Sequence, residues 1–298
     1  MADAMSVTRD TAALLALQRL AKPRRAAELF EEHGEPLAAL RAYAGTTQLA
    51  FDEPVHDSHE PDLDAIVAEL EALEAEGISL LTVLDEAYPR NLRLVYDRPL
   101  ILWIRGALSD RDDRSVAVVG TRKASPAGLE RARQIAHQLV EADYAVVSGL
   151  AVGIDTASHL AALQAGGRTI AVVGTGLRHA FPKQNAELQR RLGSESAVVS
   201  QFEPDQEARK WTFPMRNAVM SGIARATVVV EATYTSGARM QARLALEHGR
   251  PVVLMDALLE HEWARTYAER PGVHVVSEVA EVIDRLDRLY APELTLTA

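Results

Sequence analysis

Between residues 116 and 255 short apolar runs alternate with helical patterns, and most runs end in Gly, Ser or Thr. The runs at 116–119, 145–147, 169–173, 197–200, 227–231, 251–254 and 273–276 are rich in Val and other apolar residues without a polar partner at every second position. That is how strands buried on both faces read. Helical patterns fill most gaps between them, so the segment is predicted to be α/β, a doubly wound and mostly parallel sheet.

The first third has a different rhythm. Leu14, Leu17 and Leu20, then Ala26, Leu29 and Phe30, then Leu37, Leu40 and Tyr43 after Gly34 and Pro36 recur at helical spacing. Three short helices are predicted over residues 8–44. Residues 51–61 hold Pro54 and Pro61 without periodicity and read as a loop. A helix follows at 63–76 on Ile66, Leu70 and Leu73, stopped by Gly77. Residues 100–104 read as an apolar strand packed on the core sheet with Trp103 inside, and 110–114 as a charged hinge. The expected division is a helical unit (1–50), a connecting helix and strand (51–110) and an α/β domain (111–298).

A chain of 298 residues, 48% hydrophobic and 25% charged, has the balance of a soluble globular protein of one large and one small domain, which excludes membrane and disordered classes. The absence of Cys removes disulfides, thiolate nucleophiles and Cys-based zinc sites. Asp3, Arg9 and Asp10 stand where a signal peptide needs an apolar stretch, and the expected location is the cytoplasm. A formal charge of −10 argues against a nucleic-acid partner until its distribution is considered. Residues 52–76 hold ten acidic side chains and no basic one, whereas 116–256 hold 16 basic and 12 acidic, so the Gly-rich segment is itself basic. The acidic stretch reads as a solvated linker and helix face, or else as a DNA-mimicking strip.

Candidate chemistry lies where strands give way to helices, since free N–H groups and the helix dipole favour phosphates there. Gly120, Thr121, Arg122 and Lys123 follow the first strand, then Ser125-Pro126 signals a capped helix. The turn has neither a GxGxxG nor a GKS ending, which leaves a phosphate site without a nucleotide motif. Its two cations could instead complement neighbouring carboxylates. Ser148 and Gly149 end the second strand. Asp155 and His159, at i and i+4, could pair as acid and base or as metal ligands, but no third ligand accompanies them, and helix capping explains Asp155. Phe181, Lys183 and Asn185 place an aromatic beside a cation, with Phe181 fitting either the core or a base platform. Arg209, Lys210, Trp211, Phe213 and Arg216 crowd three cations and two aromatics into eight residues, a groove border or a surface flap. Glu231 ends the fifth core strand where an enzyme would place an acid, Ser236 and Gly237 start the next helix, and Arg243 and Arg250 read as solvated helix-end cations.

In order, VAVVGTRKASPAG, AVVSGLAVGID, TIAVVGTGL with Phe181-Pro182 and Asn185, FPMRNAVMSG and VVVEATYTSGARMQA resemble the DNA-processing protein A (DprA/Smf) family. With GISLLTVLDEAYPRNLRLVYDRPLILWIRG at 77–106, the resemblance covers residues 14–255. It implies an extended Rossmann-like domain behind a small all-α, sterile-alpha-motif-like unit with a helix-hairpin-helix flavour. The turn Ala21-Lys22-Pro23-Arg24-Arg25 lacks the glycines of that hairpin, and Lys22, Arg24 and Arg25 read as an ordinary basic turn rather than as phosphate contacts. The implied function is a single-stranded-DNA-binding recombination mediator, not an enzyme, that protects strands and helps load the RecA recombinase in natural transformation, as a homodimer. The implied backbone contacts are Gly120, Thr121, Arg122, Lys123, Ser148, Gly149, Lys183, Asn185, Lys210, Arg216, Asn217, Ser236 and Gly237, with no cofactor or metal; Phe181, Trp211 and Phe213 are stacking candidates, Trp211 being one the family motif does not fix. The loop after the sixth core strand departs from the family pattern, and no residues after Leu289 could form the winged helix many members carry, so this is a short member or a cut chain. The rival is a nucleotide hydrolase like the lysine-decarboxylase-like phosphoribohydrolases, which need Pro-Gly-Gly-x-Gly-Thr-x-x-Glu where this chain has Thr233 to Arg239; a scaffold with a vestigial pocket is the third reading.

Overall fold

Contiguous β-branched and small apolar residues become strands: β1 (Ser79–Thr82), β2 (Ile101–Gly106), β3 (Ser115–Val119), β4 (Ala145–Ser148), β5 (Thr169–Val172), β6 (Ala197–Ser200), β7 (Ala226–Val229), β8 (Val252–Met255) and β9 (Val273–Val276). They form one sheet of order β1-β2-β6-β5-β4-β3-β7-β8-β9 in a computed structural model that describes residues 7–49 and 61–290. From β3 to β9 every pairing is parallel, while β2 joins β6, and β1 joins β2, antiparallel. Each run predicted as a strand is one, within a residue or two. The pattern alone did not mark β1, whose four residues are too few to carry a period.

Successive strand residues feed opposite layers. Val116 and Val118 pack with Ile135 of α6 (Pro126–Glu141), Ala157 of α7 (Ile154–Gln164) and Leu286 of α12 (Val279–Tyr290). Ala117 and Val119 belong with Val219 of α9 (Thr212–Ile223) and Ala242 of α10 (Gly237–Glu247) on the other side. The remaining core helices are α5 (Arg90–Arg93), α8 (Ala186–Glu195) and α11 (Glu262–Ala268). The loop after β8, where the family pattern fails, is a 3₁₀ turn leading to α11 with Trp263 buried.

The N-terminal unit has the three expected helices, α1 (Arg9–Leu20), α2 (Pro23–His33) and α3 (Pro36–Leu49), beside α4 (Leu63–Ala75). Leu14, Leu15 and Leu17 are fully buried, so α1 is the centre of that unit, and Arg19 ties it to Glu203 of the sheet domain at 2.8 Å. Trp103 is buried as expected. All but Pro61 of the loop predicted at 51–61 lies outside the described residues, as do residues 1–6, residue 50 and those after 290. The stretch 110–114 is no hinge: Asp112 is buried, accepts from Ser109 N at 2.7 Å and holds Arg168 at 2.8 Å. Arg250 is half-buried and donates to Asn91 O at 2.8 Å, so it is not the solvated cation its place at a helix end implies.

The chain winds from β3 out through β4, β5 and β6, then returns over α9 to lay β7 on the free side of β3. The carboxyl ends of β3 and β7 therefore flank the point where strand order reverses. Connections diverge there and leave a crevice, which is where open α/β sheets bind ligands.

Candidate nucleic-acid interface

The turn after β3 is fixed from below. Thr121 N donates to Glu231 O at 2.6 Å, across the β3–β7 pairing, and Lys123 N donates to Thr121 Oγ1 at 3.2 Å. Ser125 caps α6 by accepting from Gly128 N at 2.9 Å, with Pro126 in the first turn. The Glu231 carboxylate accepts from Ser125 N at 3.2 Å and from Ser125 Oγ at 2.8 Å. The acid at the strand end is thus engaged in holding a helix start. With the backbone pinned, Arg122 and Lys123 project into solvent, and neither has a carboxylate partner among the described residues.

Both cations line a cleft of about 560 Å³ at the switch point. Gly120 and Thr121 form one lip, Thr233 and Thr235 to Ala238 the other, and Phe213, Arg216, Asn217 and Met220 of α9 the wall. Ser236 caps α10 by accepting from Ala238 N at 3.2 Å, so a second helix N-terminus opens on the same space. Anions are favoured there by the dipoles of α6 and α10 together.

A slot of about 100 Å³ adjoins the cleft, lined by Gly149, Val152, Gly174, Phe181, Pro182 and Phe213, with Arg122 and Arg216 facing both spaces. The rings of Phe181 and Phe213 lie 5.5 Å apart, and the Arg122 guanidinium sits 5.4 Å from the Phe213 centroid. Phe181 is 43% exposed, so its ring is offered to a ligand as well as to Phe213. An open aromatic pair with a cation at its edge takes a base on the rings and a phosphate on the charge.

Other expected contacts serve the frame. Arg216 is only 6% exposed; it donates to Gly149 O, to Val172 O at 2.9 Å and to Asn217 Oδ1 at 2.9 Å. Burial pushes its pKa down and that of nearby Asp155 up. A Cβ on Gly149 would collide with that guanidinium, which is why the turn after β4 needs a glycine. The next residue, Leu150, is buried at φ 55°, a left-handed conformation that costs an L-residue about 1 kcal/mol. Asp155 accepts from Gly149 N at 3.1 Å and Ala151 N at 3.4 Å, stabilising the same turn. His159 is sealed beneath it, bonded to Thr169 Oγ1 at 2.7 Å, and burial lowers its pKa to about 3. Asp155 and His159 are therefore not a ligand pair, and no metal-holding group of three His, Asp or Glu side chains exists among the described residues. Ser148 donates to Val118 O at 2.7 Å, and Asn185 donates to Leu150 O at 2.9 Å and Thr156 Oγ1 at 2.8 Å. Both are buried and line neither space. Asn217 lines the cleft and reaches Gly237 O at 3.4 Å.

Lys183 and Lys210 are exposed but line neither the cleft nor the slot. Trp211 is 53% exposed and turns elsewhere, edge-on to Phe202 at 5.7 Å, into a separate cleft between α1, α2 and the sheet domain. The cleft also contains Thr233, Thr235 and Gln241, which sequence reasoning missed. Nothing in the sequence marks them beyond the Ser-Gly cap between them.

The chain is 42% identical over 179 residues to DNA processing protein DprA of Streptococcus pneumoniae, covering 60% of this chain and 63% of that protein, so it spans less than two thirds of that relative's length. The solved structure of DNA processing protein A from Streptococcus pneumoniae superposes with a TM-score of 0.73 at 30% identity over 92% of this chain and 97% of that one. The DNA processing protein A of Helicobacter pylori, whose structure concerns its single-stranded-DNA binding mode, shares the fold with a TM-score of 0.63 at 23% identity, over 72% of this chain and 97% of that one. The family model described as DNA recombination-mediator protein A matches residues 79–290, the whole sheet from β1 to α12 with both lips of the cleft, and the chain belongs to that family.

Proposed function

We propose that the chain binds single-stranded DNA along the switch-point cleft and acts as a recombination mediator. Arg122, Lys123 and the N-termini of α6 and α10 take phosphates, and Phe181 with Phe213 takes a base. The observation that carries this reading is Arg122, an unpaired guanidinium at the junction of a polar cleft and an aromatic slot. Binding of this kind is sequence-tolerant and steeply salt-dependent. Protecting strands, helping to load RecA, working as a homodimer and residing in the cytoplasm complete the reading, on the strength of family membership. No helix among the described residues is long and apolar enough to cross a membrane.

A non-enzymatic role is favoured by how the reactive side chains are spent. Glu231 is bonded to Ser125, Asp155 to backbone amides, and His159 to Thr169. Ser221, His248 and Asp97 do form a hydrogen-bonded row, each link 2.9 Å, but Ser221 is fully buried. No substrate carbonyl reaches a hydroxyl sealed between two helices. The test is fluorescence anisotropy of labelled oligo-dT across a salt series, with Arg122→Ala alongside. Wild-type binding that weakens with salt, and that weakens further and with a flatter slope in the variant, supports the reading. Hydrolysis of nucleoside monophosphates by the purified protein, without oligonucleotide binding at low salt, would transfer the cleft to the nucleotide-enzyme reading.

A further inference from the structure

Past Ser236 the cleft does not end. Thr235 and Ser236 also line a neighbouring trough of about 280 Å³, whose other walls are Tyr234, Arg239, Met240, Arg243 and Tyr267. The aromatic slot, the phosphate cleft and this trough therefore form a continuous series, the first two sharing Arg122 and the last two sharing Ser236. Tyr234 is 66% exposed, so its ring is available at the surface of the trough. The Arg239 guanidinium lies 4.3 Å from its centroid, and Arg239 has no carboxylate partner among the described residues. Arg243, on the same side of α10, is instead neutralised by Glu247 at 2.6 Å. The trough thus presents one cation without an acid partner, set over one exposed ring and held toward the hydroxyls of Tyr234 and Tyr267.

We infer that this trough is a second station for the same nucleic-acid strand, Tyr234 stacking a base and Arg239 backing the ring while meeting the adjoining phosphate. The inference rests on the reading of the cleft as a single-stranded-DNA site. A strand whose base stacks on the exposed ring of Phe181 and whose phosphates cross Arg122, Lys123 and the capped start of α10 leaves the cleft beside Tyr234. Its next base meets a platform of the same kind it left. Guanidinium on one face and base on the other is a compatible sandwich, because the charge polarises the ring without occupying the face the base needs. Polar Thr235 lies between the stations, where a backbone crosses rather than a base lodges.

The test is affinity against strand length. Labelled oligo-dT from about 4 to about 16 nucleotides is titrated into wild type, Tyr234→Ala, Tyr234→Phe, Arg239→Ala and Arg122→Ala, with melting temperatures measured in parallel. Wild-type affinity rises with length until both stations are spanned. Tyr234→Ala and Arg239→Ala bind the shortest strand as wild type does and lose about 10-fold on the longer ones, whereas Tyr234→Phe keeps the length dependence. Arg122→Ala weakens every length. If Tyr234→Ala and Arg239→Ala follow wild type at all lengths while Arg122→Ala loses affinity, the second station is wrong and the cleft reading stands. If wild type binds no length, both are wrong together.

Discussion

The widest cleft described, at the helical unit, and the switch-point cleft both hold arginine beside aromatic rings, and they differ in whether that charge is free for phosphate. The larger, of about 980 Å³, lies between α1, α2 and the sheet domain and contains Arg19, Arg24, Arg98, Tyr96 and Trp211. Its cations are spoken for: Arg19 is held by Glu69 at 2.7 Å and Glu203 at 2.8 Å, Arg98 by Glu31 at 2.8 Å and Arg24 by Glu28 at 2.9 Å. In the smaller switch-point cleft Arg122 and Lys123 form no ion pair among the described residues, and the one carboxylate in its lining, Asp155, is buried and bonded to backbone amides. An already paired guanidinium must break that pair before it gains a phosphate, so volume and composition mislead where charge availability discriminates.

The sharpest contrast lies inside the smaller cleft. Arg216 lines it, yet its Nε and one terminal nitrogen are bonded to protein, so Arg216→Ala is expected to cost about 3 kcal/mol by stranding buried acceptors, read as a lower urea midpoint. Arg122→Ala should leave that midpoint in place; equal midpoints for the two variants would contradict the division into frame and ligand residues. Acid probes the same frame. His159 is held neutral with a pKa near 3 while an unfolded histidine titrates near 6.5. The unfolded chain then binds more protons, so stability is complete above about pH 6.5 and falls as pH drops toward 3, by about 2 kcal/mol at pH 5. His159→Gln should remove that part of the slope, and parallel urea titrations at acid and neutral pH read it directly.

For binding, Arg122→Ala is expected to lose about 10-fold in affinity and about one unit of the logarithmic salt slope. Arg19→Ala should change neither, while costing no more than about 1 kcal/mol of stability because its pairs are half-exposed. A loss of DNA affinity in Arg19→Ala with the helical unit intact would refute the contrast between the clefts.

The sheet was legible because buried parallel strands write themselves as unbroken apolar runs, and the Ser125-Pro126 and Ser236-Gly237 starts because capping needs those residues. What burial does to a cation was not legible. Arg209, Lys210, Trp211 and Arg216 share one cation-rich stretch, but α9 begins at Thr212 and rotates successive side chains by roughly 100°. Phe213 therefore enters the slot, Arg216 goes under the turn after β4, and Trp211 faces the other cleft. Sequence proximity promised one patch; the helix sorted it into three surroundings. Tyr234 and Arg239 carried no signal at all, since an aromatic in a loop and a cation in a helix are ordinary until a groove joins them.

The reversal of strand order also fixes when in the life of the chain a binding surface exists. β3, β4, β5 and β6 are drawn from residues 115–200 and meet neighbours close in sequence, whereas the register of Val119 opposite Val229 waits for the whole intervening chain. Long-range parallel pairing is slow because its closure entropy is met before its contacts form. A nascent chain that ends before Ala226 has one lip of the cleft and not the other, so DNA affinity should appear late and abruptly during synthesis. The groove is in that sense a certificate of finished folding: both of its lips exist only once the sheet has closed both of its halves.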